Sequence, residues 1–169
     1  PITDDLYDVC FRFGHPPDSR AIARLIAQNK RILVASPNYL KKYGEPKTPN
    51  DLIKHNCIGI RQGDEAYGLW RFSNIKTRGK NERTEDIKIR GNLTTNDGEI
   101  AVNWALDNQG ILLRAEWDVA RYIKSGRLVH ILENYHTPDA DIYAVYSQRH
   151  KASARVSALI DFVTEAIKQ

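Results

Sequence analysis

One junction constrains this chain more than any other. The apolar run Ile32–Ala35 is followed at once by Ser36-Pro37. Four apolar residues without alternation fit a strand buried on both faces. Ser36 then offers an N-cap hydroxyl, and Pro37 sits at the first helical position, where its missing N–H costs nothing. Gly44 is placed to end that short helix. Thr48-Pro49 repeats the device, with Asp51 three residues on as the acidic partner of a capping box. Strand, short helix, Pro-bounded loop and second short helix therefore follow within 26 residues, 32 to 57.

The same alternation runs along the rest of the chain and predicts an α/β fold. Strands are expected at Tyr7–Phe13, Arg31–Ala35, Cys57–Ile60, Leu69–Phe72, Ile87–Leu93, Gly110–Leu113, Leu128–Leu132 and Ile142–Ser147. A helix is expected over Asp97–Asn108, capped by Asn96, with Ile100, Ala101, Trp104 and Ala105 as its buried stripe. A second spans Trp117–Lys124. The last, Ser153–Ile167, carries Val156, Leu159, Ile160, Val163 and Ile167 at helical spacing. The basic stretch 76–90 also holds Glu82, Glu85 and Asp86, and reads as a solvated hairpin or loop.

Several short motifs occur in a telling order. Asp8-Val9-Cys10-Phe11-Arg12-Phe13-Gly14 resembles "D-x-A-x-R-x-G". Asp18-Ser19 with Ala23-Arg24-Leu25 is similar to "D-S-x-x-x-A-R-x-L". Gly110-Ile111-Leu112-Leu113 before Trp117-Asp118-Val119 resembles "G-x-G-I-x-x-L-P-x-W", and Gly126–Val129 and Ile142–Tyr146 complete the series. With the Ser-Pro-Asn-Tyr-Leu and Thr-Pro-Asn-Asp-Leu pair, this order resembles the effector-binding domain of the LysR-type transcriptional regulators. The likeness departs at Arg114-Ala115, where the family often has Pro. It implies that Ala21–Ile26 is a strand. It also implies two Rossmann-like subdomains joined by crossover strands, as in type 2 periplasmic binding proteins. Subdomain one would be residues 1–34 plus 146–169, and subdomain two residues 35–145. By the same likeness, the first strand-helix-strand of subdomain one and the preceding helix-turn-helix domain lie outside this sequence. An unpaired sheet edge and an uncovered apolar face are then expected, a liability for association.

Composition is that of an ordinary globular protein, with 41% hydrophobic and 27% charged residues and a net charge of +4. The basic residues are spread along the chain, so a nucleic-acid surface is not indicated. No apolar run approaches 18 residues, the length at which a membrane span is read. The five histidines show no ligand spacing, so no metal is expected. Cys10 and Cys57 sit in apolar strand-like runs and read as buried reduced thiols of a cytoplasmic protein. No Gly-x-Ser-x-Gly elbow, Gly-rich phosphate loop or His-Glu-x-x-His occurs. Asp8, Asp18 and Asp64 share no catalytic spacing. No catalytic residue and no cofactor are expected.

Ligands of open α/β sheets bind beyond the carboxyl ends of strands. Three loops qualify. Arg12-Phe13-Gly14-His15 brings a guanidinium suited to a carboxylate, although Arg12 equally suits a surface ion pair. Arg61 and Gln62 follow a strand and also fit an ordinary polar connection. Thr94-Thr95-Asn96-Asp97 places hydroxyls and a helix N-terminus together, although Asp97 itself complements the helix dipole. Arg114 and Trp117 would close the wall, and Trp104 reads as core. The resemblance implies a cleft between subdomains for an organic acid or aromatic metabolite, sensed by population shift. It also implies a dimer or tetramer that reaches DNA only through the preceding domain. A transporter's solute-binding component, which shares the fold, is the alternative.

Overall fold

The structure is a computed structural model and describes residues 7–16, 20–61, 68–77 and 83–168. The elements run β1 (Cys10–Phe13), β2 (Ala21–Ala27), β3 (Arg31–Ala35), α1 (Pro37–Tyr43), β4 (Cys57–Ile60), β5 (Leu69–Asn74), β6 (Thr84–Lys88), β7 (Thr94–Thr95), α2 (Gly98–Leu106), β8 (Ile111–Ala115), α3 (Glu116–Lys124), β9 (Val129–Ile131), β10 (Tyr135–His136), β11 (Ile142–Ser147) and α4 (Ala154–Ile167). A 3-10 helix, Pro49–Lys54, follows α1. The chain divides into two compact units, one of residues 1–30 and 139–169, the other of residues 31–138.

Unit 2 is built on a five-stranded sheet of order β7-β4-β8-β3-β9. Within it β4 runs parallel to β7 and β8, while β3 is antiparallel to β8 and β9. The unalternating apolar runs are explained by burial on both faces. Leu33 and Ala35 of β3, Cys57 of β4 and Ile111 of β8 pack with Tyr39, Leu52, Trp70, Phe72 and Ile87 on one side. Ile32, Val34, Ile58 and Leu112 point the other way, onto Ala101, Val102, Ala105 and Val119 of α2 and α3. The first side is closed by the antiparallel sheet β10-β5-β6. Burial at β4 pushes the Cys57 thiol up to about 12.

The Ser-Pro junction forms as the sequence indicates. Ser36 Oγ accepts the Tyr39 N–H at 3.1 Å and donates to Asn108 Oδ1 at 2.6 Å. The Gly44 N–H closes α1 on Leu40 O at 2.8 Å, with φ of 88°. Asp51 Oδ2 accepts the Thr48 and Lys47 N–H groups, both at 3.0 Å. Buried Tyr39 then ties the two short helices to β4. Its hydroxyl meets His55 Nδ1 at 2.9 Å and accepts the Asn56 N–H at 3.2 Å. Burial raises the Tyr39 pKa and lowers that of His55, the latter opposed by the charge of Asp51.

Unit 1 is a three-stranded antiparallel sheet, β1-β11-β2, with α4 on one face. Ser153 caps α4, and Val156 and Ile160 pack on Ile26 and Ala144. Arg24 pairs with Asp161 at 3.1 Å, and Arg155 with Asp8 at 2.7 Å. Leu25, Leu159 and Phe162 remain exposed, Phe162 at 72%.

Some expectations need correction. The observed units divide before β3 and before β11, and among the described residues β3 pairs only with β8 and β9, and β11 only with β1 and β2. The strand expected at Ile87–Leu93 is β6, at Thr84–Lys88, since Ile89 and Arg90 bond outward to Gly68 and Cys57 and the chain bends at Asn92. β7 falls in the loop expected at Thr94–Asp97, and β10 had no counterpart among the expected strands; each is only two residues long. In α2 the buried stripe is Ala101, Val102 and Ala105, with Ile100 exposed and Trp104 half-buried against that core. Cys10 is exposed, because Val9 and Phe11 take the face packed on the α4 core and Cys10 alternates to the other face.

Candidate functional site

Parallel pairing brings the carboxyl ends of β4, β7 and β8 to one edge of unit 2. Gly59 and Ile60 lie opposite Thr94 and Thr95, and the Arg61 N–H donates to Thr95 O at 2.8 Å. Thr95 Oγ1 accepts the Asp97 N–H at 3.0 Å. That turn places Asp97, not Asn96, as the N-cap of α2. The Asp97 carboxylate takes the N–H groups of Glu99 at 2.9 Å and Ile100 at 3.3 Å, and Asn96 stands exposed. The sequence favours Asn96 because Glu99 sits three residues on. The Thr95 hydroxyl turn shifts the helix start by one residue.

Arg114 ends β8 at the same edge. Its guanidinium lies against Gly98, where a Cβ would collide with Nη2, Cζ and Nη1. A side chain at Gly98 would have to push that guanidinium aside. Arg114 Nη2 pairs with Asp118 Oδ2 at 2.8 Å, four residues on in α3. Arg114 Nε is buried with no hydrogen-bond partner among the described residues. Ile100 and Trp117, in the first turns of α2 and α3, are exposed. The result is a positive, donor-rich group fixed between two helix starts, with apolar side chains at hand. Such an arrangement suits a carboxylate joined to an apolar body.

In unit 1, Gly14 follows β1 with φ of 77° and donates its N–H to Asp141 O at 2.8 Å. Asp141 Oδ1 accepts the Asn29 N–H at 2.7 Å, and the Ala140 N–H donates to Asn29 O at 2.8 Å. Phe13 is exposed, and Arg12 is half-buried with Nε 3.5 Å from Phe13 O.

The structure thus joins Thr95, Asn96, Asp97, Arg114 and Trp117 at one edge, with the Arg61 backbone beside them. Arg12, Phe13 and Gly14 form a separate group in unit 1. Gln62, Asp18 and Asp64 lie outside the described residues. Sequence reasoning missed Gly98 and Asp118. Each left a signal: a glycine in the first turn of a helix of good formers, and an acid four residues after an arginine. Among the described residues no His, Cys, Asp and Glu group could hold a metal, and no helix is long and apolar enough to cross a membrane.

Comparison with known proteins places the chain. The model of the LysR substrate binding domain matches residues 2–168. The transcriptional regulator DmlR of Escherichia coli K12 is 39% identical over 94% of this chain and 49% of its own length. The transcriptional activator TtdR of the same strain is 34% identical over 99% of this chain and 52% of its own length. The full-length virulence activator AphB of Vibrio cholerae superposes with a TM-score of 0.74, at 28% identity, over 95% of this chain and 52% of AphB. The chain therefore spans about half the length of these relatives. Its α/β fold is the periplasmic-binding-protein-like one of LysR-type regulatory domains, and the chain belongs to the LysR substrate-binding-domain family.

Proposed function

We propose that this chain is the sensing domain of a LysR-type regulator and that it takes a small organic anion at the edge formed by β4, β7, β8 and the starts of α2 and α3. The observation that carries the reading is Arg114, laid on Gly98 with its Nε unpartnered among the described residues, while Ile100 and Trp117 are exposed in the first turns of α2 and α3. Thr95 and Asn96 supply further polar groups. The Asp97 carboxylate is engaged as a cap and serves the site by fixing the helix start. Arg12, Phe13, Gly14, Arg61 and Gln62 remain candidate ligand contacts, to be tested by substitution. An effector that prefers one of two arrangements shifts their populations by that difference in affinity. In a dimer or tetramer this would alter how the DNA-binding domains are presented in the cytoplasm. The transporter reading is not favoured, since DmlR and TtdR are named as transcriptional regulators.

A thermal-shift screen of aliphatic and aromatic carboxylates tests the reading. A ligand at about 100 times its Kd stabilises by roughly 2.7 kcal/mol, a rise of about 5–10 °C for a chain of this size. Arg114→Gln removes a charge-assisted contact worth roughly 1.5–3 kcal/mol, so affinity falls by about 10- to 100-fold. If no carboxylate shifts the protein, the organic-anion reading is wrong.

A further inference from the structure

Arg114 is held in two independent ways. Gly98 lies against the guanidinium, and Asp118 Oδ2 pairs with Nη2 at 2.8 Å. The two side chains differ in exposure: Arg114 is 21% exposed, and Asp118 46%. A carboxylate that fills an arginine fork does so with two parallel N–H···O bonds. Asp118 does not fill it, since Nε, buried beside Nη2, has no partner among the described residues. A half-exposed, single-contact ion pair is weak and readily exchanged with water.

We propose that Asp118 is a specificity-determining residue of this site: it stands in for the effector's carboxylate on Arg114 and yields when a better-fitting carboxylate arrives. This rests on the organic-anion reading above and adds an internal competitor to it. The Asp118 carboxylate keeps Arg114 compensated when no effector is present. An effector that reaches both Nε and Nη2 displaces it into water, whereas one that reaches Nη2 alone gains nothing over Asp118. The site would therefore reject anions that cannot present two oxygens in the plane set by Gly98. A residue that merely positioned Arg114 would act in the opposite sense, because removing it would weaken binding.

The test uses the full chain with Asp118→Asn, which keeps an oxygen acceptor and removes the charge. Thermal unfolding is followed in sodium sulfate against sodium chloride at matched ionic strength, with sulfate as the probe. The sulfate-dependent rise in Tm should be larger in Asp118→Asn than in the parent chain, and adding Arg114→Gln should abolish the excess. Any carboxylate found to bind the parent chain should bind Asp118→Asn about tenfold more tightly, as expected when one nearby like charge is removed. An equal or smaller sulfate response, or weaker carboxylate binding, overturns the proposal. If no organic acid binds the parent chain, the organic-anion reading fails on its own, and the sulfate comparison still decides the role of Asp118.

Discussion

Replacing Tyr39 with Phe should expose how unit 2 is tied together. The Tyr39 hydroxyl accepts the Asn56 N–H and lies 2.9 Å from His55 Nδ1; with the neutral imidazole carrying its proton on Nε2, the hydroxyl donates to Nδ1. Phe keeps the ring, which is buried, and its packing against Tyr43 at 4.8 Å between centroids. What is lost is two hydrogen bonds, leaving a donor and an acceptor unpaired in half-buried positions. At about 1 kcal/mol each, the cost is about 2 kcal/mol, a fall in Tm of roughly 4–8 °C. A pH signature comes with it. Burial lowers the pKa of His55 in the folded chain, so the unfolded chain binds the proton first. Stability is then full above about pH 6.5, the ordinary histidine value. It is lost as pH falls from there through the folded value. Protonated His55 presents an N–H to the hydroxyl instead of an acceptor, and the arrangement breaks. Tyr39→Phe should therefore be less stable at pH 7.5 and lose less on going to pH 5.5. Urea unfolding of both proteins at the two pH values, with m held equal, measures both effects. A loss below about 0.5 kcal/mol at pH 7.5, within the range of neutral surface changes, would refute the reasoning. So would an unchanged pH dependence.

Two other expectations follow from burial alone. Cys57 is buried with its thiol pushed up to about 12, whereas Cys10 is exposed. A thiol reagent at pH 8 should titrate Cys10 rapidly in the native chain and Cys57 only after denaturation. Leu25, Leu159 and Phe162 leave apolar surface on unit 1, and β1 and β2 are its edges among the described residues. Concentration-dependent association in sizing chromatography is expected, reduced by Phe162→Glu; a monomer at every concentration would argue against it.

The parts of the fold that were legible are those where one local force dominates. β3 and β4 carry their sequence-predicted limits because an unbroken apolar run leaves little choice when both faces are covered. α1 starts where Ser36 and Pro37 require it. What was not legible depends on partners distant in sequence. Ile87 and Ile89 alternate like a strand, yet only Ile87 lies within one, because Arg90 is drawn to Cys57. The start of α2 depends on a single threonine hydroxyl. The edge proposed as the site was half legible: the Thr95 hydroxyl accepts the Asp97 N–H, and Arg114 lies against the next residue, Gly98. Gly98 and Asp118 acquire meaning only once β8 lies beside β4 and sets its arginine against the first turn of α2.

The division of the chain also bears on how it is made. Unit 2 is one continuous stretch, 31–138, and its ends are closed by Thr137 Oγ1 donating to Arg31 O at 2.6 Å. Unit 1 is drawn from segments on both sides of unit 2 and needs β11 between β1 and β2. On a ribosome, the inserted unit can finish folding while β1 and β2 still wait for their central strand. For that interval the facing edges of the two early strands are open to wrong pairing. The risk ends when β11, made after the whole of unit 2, comes between them.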